Sequence, residues 1–171
     1  MSIELGRVRR CAVRYGAFMG AVLTLCAATL PALAAGDRHA GYYYPPPATT
    51  EVYKARTLTL PDTGREVRLG FVVGMTQQMM RQPYPPQFAI FAKGDDAQKM
   101  IIVSLRDGYI DTLFRARALF AMLTSVARST QFLIELGVAE FFTFFDLAKL
   151  LGFKKITISD GESFAHQIVI E

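Results

Sequence analysis

Three short breaks rich in glycine and aspartate constrain the fold more than any other feature of the chain: Asp62-Thr63-Gly64, Gly94-Asp95-Asp96 and Asp160-Gly161. Glycine accepts a positive φ and aspartate bonds its own backbone, so such breaks turn a strand back on its neighbour. The first separates residues 51–60 from residues 66–74, where Val67, Leu69, Phe71 and Val73 alternate. Period-2 alternation predicts strands with one buried face. The second separates residues 87–93 (QFAIFAK) from 99–105 (KMIIVSL), and the third separates 154–159 (KKITIS) from 163–170 (SFAHQIVI). Three hairpins are expected.

Between the second and third hairpins the pattern changes. Residues 113–128 contain no glycine or proline and place Leu119, Met122, Leu123 and Val126 at helical spacing, with Asp111 or Thr112 available as N-cap. Residues 132–145 are strongly apolar, carry Phe141, Phe142, Phe144 and Phe145, and are broken by Gly137. Thr143 is expected to cap a further helix through Asp146, Lys149 and Leu151 that stops at Gly152. Residues 77–82 suggest a short helix halted by Pro83, Pro85 and Pro86. The order ββ-ββ-αα-ββ predicts an α+β fold in which an antiparallel sheet built from hairpins has its helices packed on one face.

The N-terminus has a different character. Arg7, Arg9, Arg10 and Arg14 precede an uncharged apolar run over residues 17–30, and Pro31 then leads into Ala32-Leu33-Ala34. A basic head, a short apolar stretch and an A-x-A site describe a secretory signal peptide. Residues 1–34 are read as that peptide, cleaved after Ala34, and a periplasmic or secreted location is expected. The run is shorter than the roughly 20 apolar residues of a spanning helix, so no stable membrane anchor is expected after cleavage. Leu25 before Cys26 does not suit a lipoprotein site, and the residues around Arg9-Arg10 fit the twin-arginine pattern poorly.

Cleavage changes the composition that matters. The whole chain has 19 basic and 15 acidic residues, net +4. Four of the basic ones and Glu4 lie in residues 1–34, which leaves 15 against 14, or +1. The positive excess that would suggest a nucleic-acid partner goes with the leader. So do Cys11 and Cys26, leaving a cysteine-free mature chain with no disulfide, thiolate metal site or cysteine nucleophile. The remainder divides into an extended arm at 35–50 and a single α+β domain at 51–171. Within the arm, Tyr42, Tyr43 and Tyr44 are followed by Pro45, Pro46 and Pro47, a polyproline-type stretch that reads either as a surface arm or as a docking segment for a protein partner.

Few groups are available for chemistry. His39 falls in the arm, and His166 shares a strand face with Phe164 and Ile168, which is the pattern of a core histidine. Asp160 and Ser163, with Glu162 between them, stand close by in sequence, so His166, Asp160 and Ser163 form the candidate catalytic set. Arg115 and Arg117 read as a solvated helix face. The mature chain has no H-E-x-x-H, no cysteine pair, no calcium-loop spacing around Asp95-Asp96, and neither the G-x-x-x-x-G-K-[ST] nor the G-x-G-x-x-G phosphate loop. No cofactor and no metal site is expected.

Taken as a set, GYYYPPP (41–47), YPPQFAIFAKG (84–94), DTLFRARALFAM (111–122), TFFDLAKLLGF (143–153) and SDGESFAHQ (159–167) resemble a small family of exported alphaproteobacterial proteins. The resemblance covers nearly all of the mature chain. Some members carry the label molybdopterin-guanine dinucleotide biosynthesis protein A, which implies a place in molybdenum-cofactor biosynthesis. The nucleotidyltransferases of that pathway have an N-terminal L-x-G-G-x-S-x-R-M-G-type loop, and residues 69–81 (LGFVVGMTQQMMR) lack its paired glycines, so no site residue is carried over. The leading expectation is an exported, non-enzymatic interaction or accessory domain. The alternative is a small periplasmic hydrolase or ligand-binding enzyme centred on His166.

Overall fold

In the computed structural model, residues 45–171 are described, with the side chain of Phe132 left aside. The expected signal peptide, His39 and Tyr42 to Tyr44 lie outside the described residues. Two of the three expected hairpins are present. β2 (Phe88–Lys93) and β3 (Lys99–Ser104) pair antiparallel with Ile90 opposite Ile102, and Gly94 takes φ +89° at the turn. β4 (Lys155–Ser159) and β5 (Ala165–Ile170) pair antiparallel with Ile158 opposite His166, and Gly161 takes φ +88°.

The first expected hairpin does not form. Asp62-Thr63-Gly64 leads into a helix, α1 (Arg65–Met80), with Gly64 as its N-cap, and the short helix expected at 77–82 is in part the last turn of α1. The alternation at 67–73 was a coincidence of spacing, for Val67 and Val73 are exposed. The working stripe is Arg68, Phe71, Val72, Met75 and Met79, whose spacing is that of one helix face. A charged residue stands in that stripe, which hid it from a hydrophobic pattern.

The remaining partner of the lost hairpin is β1 (Thr49–Tyr53), which begins inside the expected arm and runs parallel to β5, with Thr49 opposite His166, Glu51 opposite Ile168 and Tyr53 opposite Ile170. β3 and β4 also run parallel. The sheet is therefore mixed, in the order β1-β5-β4-β3-β2, which corrects the all-antiparallel expectation. The reason lies in the connection. A long crossover through helices between β3 and β4 allows the chain to re-enter the sheet in the same direction, as short turns cannot.

That crossover holds α2 (Leu113–Arg128), α3 (Gln131–Glu135) and α4 (Phe144–Leu150). Thr112 caps α2, its side chain accepting from the Arg115 N–H. Thr143 and Asp146 form a reciprocal capping box on α4, which ends before Gly152 at φ +83°. Val72 of α1, Leu119, Phe120 and Leu123 of α2 and Phe144 and Ala148 of α4 join Ile90, Met100, Ile102, Ile156, Ile158 and Ile168 in one core. These strand residues share one face of the sheet by register.

Arg68 is buried where α1, the β2–β3 turn and the end of α4 meet. Its Nε donates to the Asp96 carbonyl at 2.8 Å, and Nη1 donates to the carbonyls of Thr63 at 2.8 Å and Leu151 at 3.3 Å. Gly152 is held to glycine twice over, by its positive φ and because a Cβ there would lie 2.6 Å from Arg68 Nη1. Removing the guanidinium leaves three carbonyls without that donor. Arg68→Ala is expected to lower unfolding free energy by about 3 kcal/mol, with Arg68→Lys intermediate. Urea denaturation checks this, and a loss below about 1 kcal/mol at unchanged m-value would show that water replaces the clamp.

Candidate functional site

The edge strand β1 alternates its side chains, so Thr49, Glu51 and Tyr53 point to the helix-covered face beside His166, Ile168 and Ile170. These three positions bring polar atoms to the margin of an otherwise apolar core. His166 is buried, with its Nδ1 2.7 Å from Thr49 Oγ1. Its Nε2 lies 3.7 Å from Glu51 Oε2, and Glu51 Oε1 accepts from Arg117 Nη2 of α2 at 2.7 Å. Thr49 is exposed, and Arg117 and Glu51 stand at the rim with side chains 63% and 46% exposed. An ion pair so exposed contributes little to stability, on the order of 0–1 kcal/mol.

A second polar group lies across from the first. The Tyr53 hydroxyl donates to Asp146 Oδ2 at 3.1 Å and is 2.9 Å from Thr143 Oγ1. Asp146 is fully buried, and its carboxylate also accepts from the Arg56 N–H at 2.8 Å and from both the N–H and the hydroxyl of Thr143 at 2.8 Å. Burial by itself would raise the Asp146 carboxyl, but the backbone donors of Arg56 and Thr143 and the two hydroxyls outweigh it and hold the group below its ordinary value. Burial pushes the Tyr53 hydroxyl up, opposed by its bond to Thr143 and reinforced by the Asp146 charge.

Between the two groups is a cleft of about 280 Å³. Phe120 and Phe145 line it with ring centroids 4.8 Å apart, and the Tyr53 ring centroid lies 4.8 Å from that of Phe145. Ile168 and Ala121 complete its apolar lining, and Glu51, His166 and Arg117 border it. An apolar slot with a few convergent polar atoms is the usual form of a small-molecule site.

Asp160 and Ser163 bond to each other at 2.9 Å in the β4–β5 turn. Asp160 further accepts from the N–H groups of Glu162, Ser163 and Phe164. Burial raises its carboxyl, and these hydrogen bonds outweigh that and lower it. Among the described contacts, those of His166 run to Thr49 and Glu51, and none joins it to Asp160 or Ser163. Pro45, Pro46 and Pro47 have no regular secondary structure and lead directly to β1, and the Ala48 N–H already bonds the Ala165 carbonyl at 3.1 Å.

Compared with protein-family models, curated proteins and solved structures, the chain matches none. Roles must therefore be read from the geometry. Among the described residues, no three histidine, aspartate, glutamate or cysteine side chains stand together as a metal site, and no helix is long and apolar enough to cross a membrane. Thr49, Glu51 and Tyr53 were not singled out by the sequence. Thr49 and His166 are 117 residues apart, and only the parallel pairing of β1 with β5 joins them. The Thr143-x-x-Asp146 spacing was the one local signal that pointed to part of the site, and Thr143 was recognised for its cap alone.

The depressed carboxyl of Asp146 has a pH signature. A group whose folded value lies below its unfolded value stabilises the fold above the unfolded value, and that contribution is lost as pH falls through the folded one. With an ordinary carboxyl near 3.8, the wild-type melting temperature is expected to drop below about pH 5. Asp146→Asn is expected to be less stable at neutral pH, by about 2 kcal/mol, and flatter in acid. Asp160 has the same sign, so some slope persists in the single variant. Parallel wild-type and variant curves between pH 2 and 6 would rule out the assignment.

Proposed function

We propose that the protein is an exported, non-enzymatic accessory domain that binds a small molecule in the cleft between β1 and the helices α2 and α4. The observation that carries this reading is the cleft itself, apolar and aromatic along Phe120, Phe145 and Ile168, with His166, Glu51 and Arg117 at one border and the hydroxyls of Tyr53, Thr124 and Thr143 in its wall. Its volume, about 280 Å³, lies just below the usual range of roughly 300–1,000 Å³ and favours a compact ligand. A molybdopterin guanine dinucleotide is too large to be enclosed there. The Asp146 side is engaged in its own hydrogen bonds, which suits a wall that shapes a cavity. Pro45, Pro46 and Pro47 lead into β1, so a protein partner that engages them would act next to the cleft.

Ala121 is exposed and lines the cleft, so Ala121→Trp fills it without disturbing buried packing. Ligand-observed NMR against a library of small molecules, using protein recovered after expression of the full chain, tests the reading. Compounds that bind wild type are expected to lose binding in Ala121→Trp. Equal binding by both proteins would remove the cleft from the proposal.

One observation favours a second reading, a hydrolase centred on His166. The exposed Thr49 hydroxyl, the His166 imidazole and the Glu51 carboxylate follow one another in the order of a hydroxyl-based triad, at 2.7 and 3.7 Å. In this reading Thr49 and Glu51 take the roles that sequence proximity gave to Ser163 and Asp160. Hydrolysis of small aryl esters would then be expected to fall at least tenfold in both Thr49→Val and His166→Ala. Rates equal to the uncatalysed background in wild type would dismiss it.

A further inference from the structure

The ligand class follows from counting which polar atoms of the cleft still have bonding capacity. The Tyr53 hydroxyl and Thr143 Oγ1 are committed to Asp146 and to each other, and Thr124 Oγ1 already accepts from the Phe144 N–H at 3.1 Å. Two atoms differ. His166 Nε2 and Glu51 Oε2 both belong to residues that border the cleft, and at 3.7 Å they are too far apart to bond one another. Nδ1 of the same ring is engaged by the Thr49 hydroxyl at 2.7 Å. Either atom of that pair can donate, and the Glu51 carboxylate beside Nε2 favours the tautomer with its proton on Nε2, for which the Thr49 hydroxyl donates to Nδ1. The Nε2–H of a largely buried ring and a carboxylate acceptor then stand side by side at the end of an aromatic slot.

We infer that the cleft recognises a small neutral aromatic alcohol, a phenol in the simplest case, whose hydroxyl bridges His166 and Glu51 while its ring lies against Phe120 and Phe145. This inference rests on the cleft reading above and names its ligand class. An oxygen about 2.8 Å from both atoms accepts from the Nε2–H and donates to Oε2, which fulfils both at once. Other head groups fit less well. A carboxylate at this bridge stands against Glu51 Oε2, the oxygen that Arg117 does not bond, and an ammonium has no lone pair for the Nε2–H. An apolar ring without a hydroxyl leaves the donor of a buried imidazole unanswered.

The test uses 4-methylphenol, 1,4-dimethylbenzene and 4-methylbenzoate as probes, titrated by NMR into the protein recovered from expression of the full chain. Wild type is expected to bind 4-methylphenol at least about tenfold more tightly than 1,4-dimethylbenzene, as the loss of one or two hydrogen bonds implies, and 4-methylbenzoate more weakly still. Glu51→Leu, at a half-exposed edge position, is expected to bring 4-methylphenol down to the affinity of 1,4-dimethylbenzene, while Ala121→Trp weakens both. Equal affinity for the two neutral probes in wild type, tighter binding of the benzoate, or no binding of 4-methylphenol would overturn the inference. The cleft reading has a separate point of failure: it falls only if Ala121→Trp leaves every ligand found in the library screen unaffected.

Discussion

The short helix α4 carries a buried charge at each end, and much of the fold is organised around that pair. Asp146 sits in its first turn and Arg68 donates to the Leu151 carbonyl at its C-cap. A carboxylate near the N-terminus and a cation near the C-terminus both complement the helix dipole. Taking either charge out of water costs several kcal/mol unless its hydrogen bonds are replaced, and here Asp146 accepts four and Arg68 donates three. Both sets reach into the segment between β1 and α1. Arg56 N–H bonds Asp146, Thr59 Oγ1 bonds the Lys149 carbonyl, Leu60 N–H bonds the Leu150 carbonyl, and the Thr63 carbonyl bonds Arg68. A stretch with no secondary structure of its own is thereby held along the whole length of α4.

The placement of β1 depends on the same anchor. β1 has five residues, lies at the sheet edge and pairs only with β5 among the described strands, so its register needs support. Tyr53, bonded to Asp146 and Thr143, fixes the strand at one end, and the Ala48 N–H bonded to Ala165 continues its pairing at the other. A slip of one residue would turn Thr49, Glu51 and Tyr53 to the opposite face and bring Thr50 and Val52 inward. The meeting of His166 with Glu51 is thus a consequence of how Asp146 is buried some distance away.

What could be read in the chain was what local chemistry decides. Gly94 and Gly161 turn their hairpins because the turns demand positive φ, Thr112 and Thr143 cap their helices because a side-chain oxygen answers an unpaired N–H, and Gly152 ends α4. What could not be read depends on distant partners. Arg68 belongs to the buried stripe of α1 only because carbonyls from three other segments receive it, so a hydrophobic count over residues 65–80 misses the helix. The parallel β1–β5 pairing joins residues from opposite ends of the domain, and no property of Thr49 or Glu51 alone announces it. Asp160 and Ser163 are near His166 in sequence because of the turn that Asp160 builds, and their hydrogen bonds stay within that turn.

His166 was legible as a core-facing residue, and its neighbours explain why it can also border a polar cleft. Across the sheet, β2, β3 and β4 present Ile90, Met100, Ile102, Ile156 and Ile158 to the helices, whereas β1 presents Thr49, Glu51 and Tyr53. His166 stands on the boundary, with Ile158 opposite it on one side and Thr49 on the other. An aliphatic residue there would satisfy β4 but leave the Thr49 hydroxyl without its 2.7 Å partner. Imidazole serves both sides, flat and largely apolar toward the isoleucines and hydrogen-bonding toward β1. The core therefore ends in a polar seam, and because α2 meets that seam with Phe120 and Ala121 and bridges it only at its rim through Arg117, the seam remains a cleft.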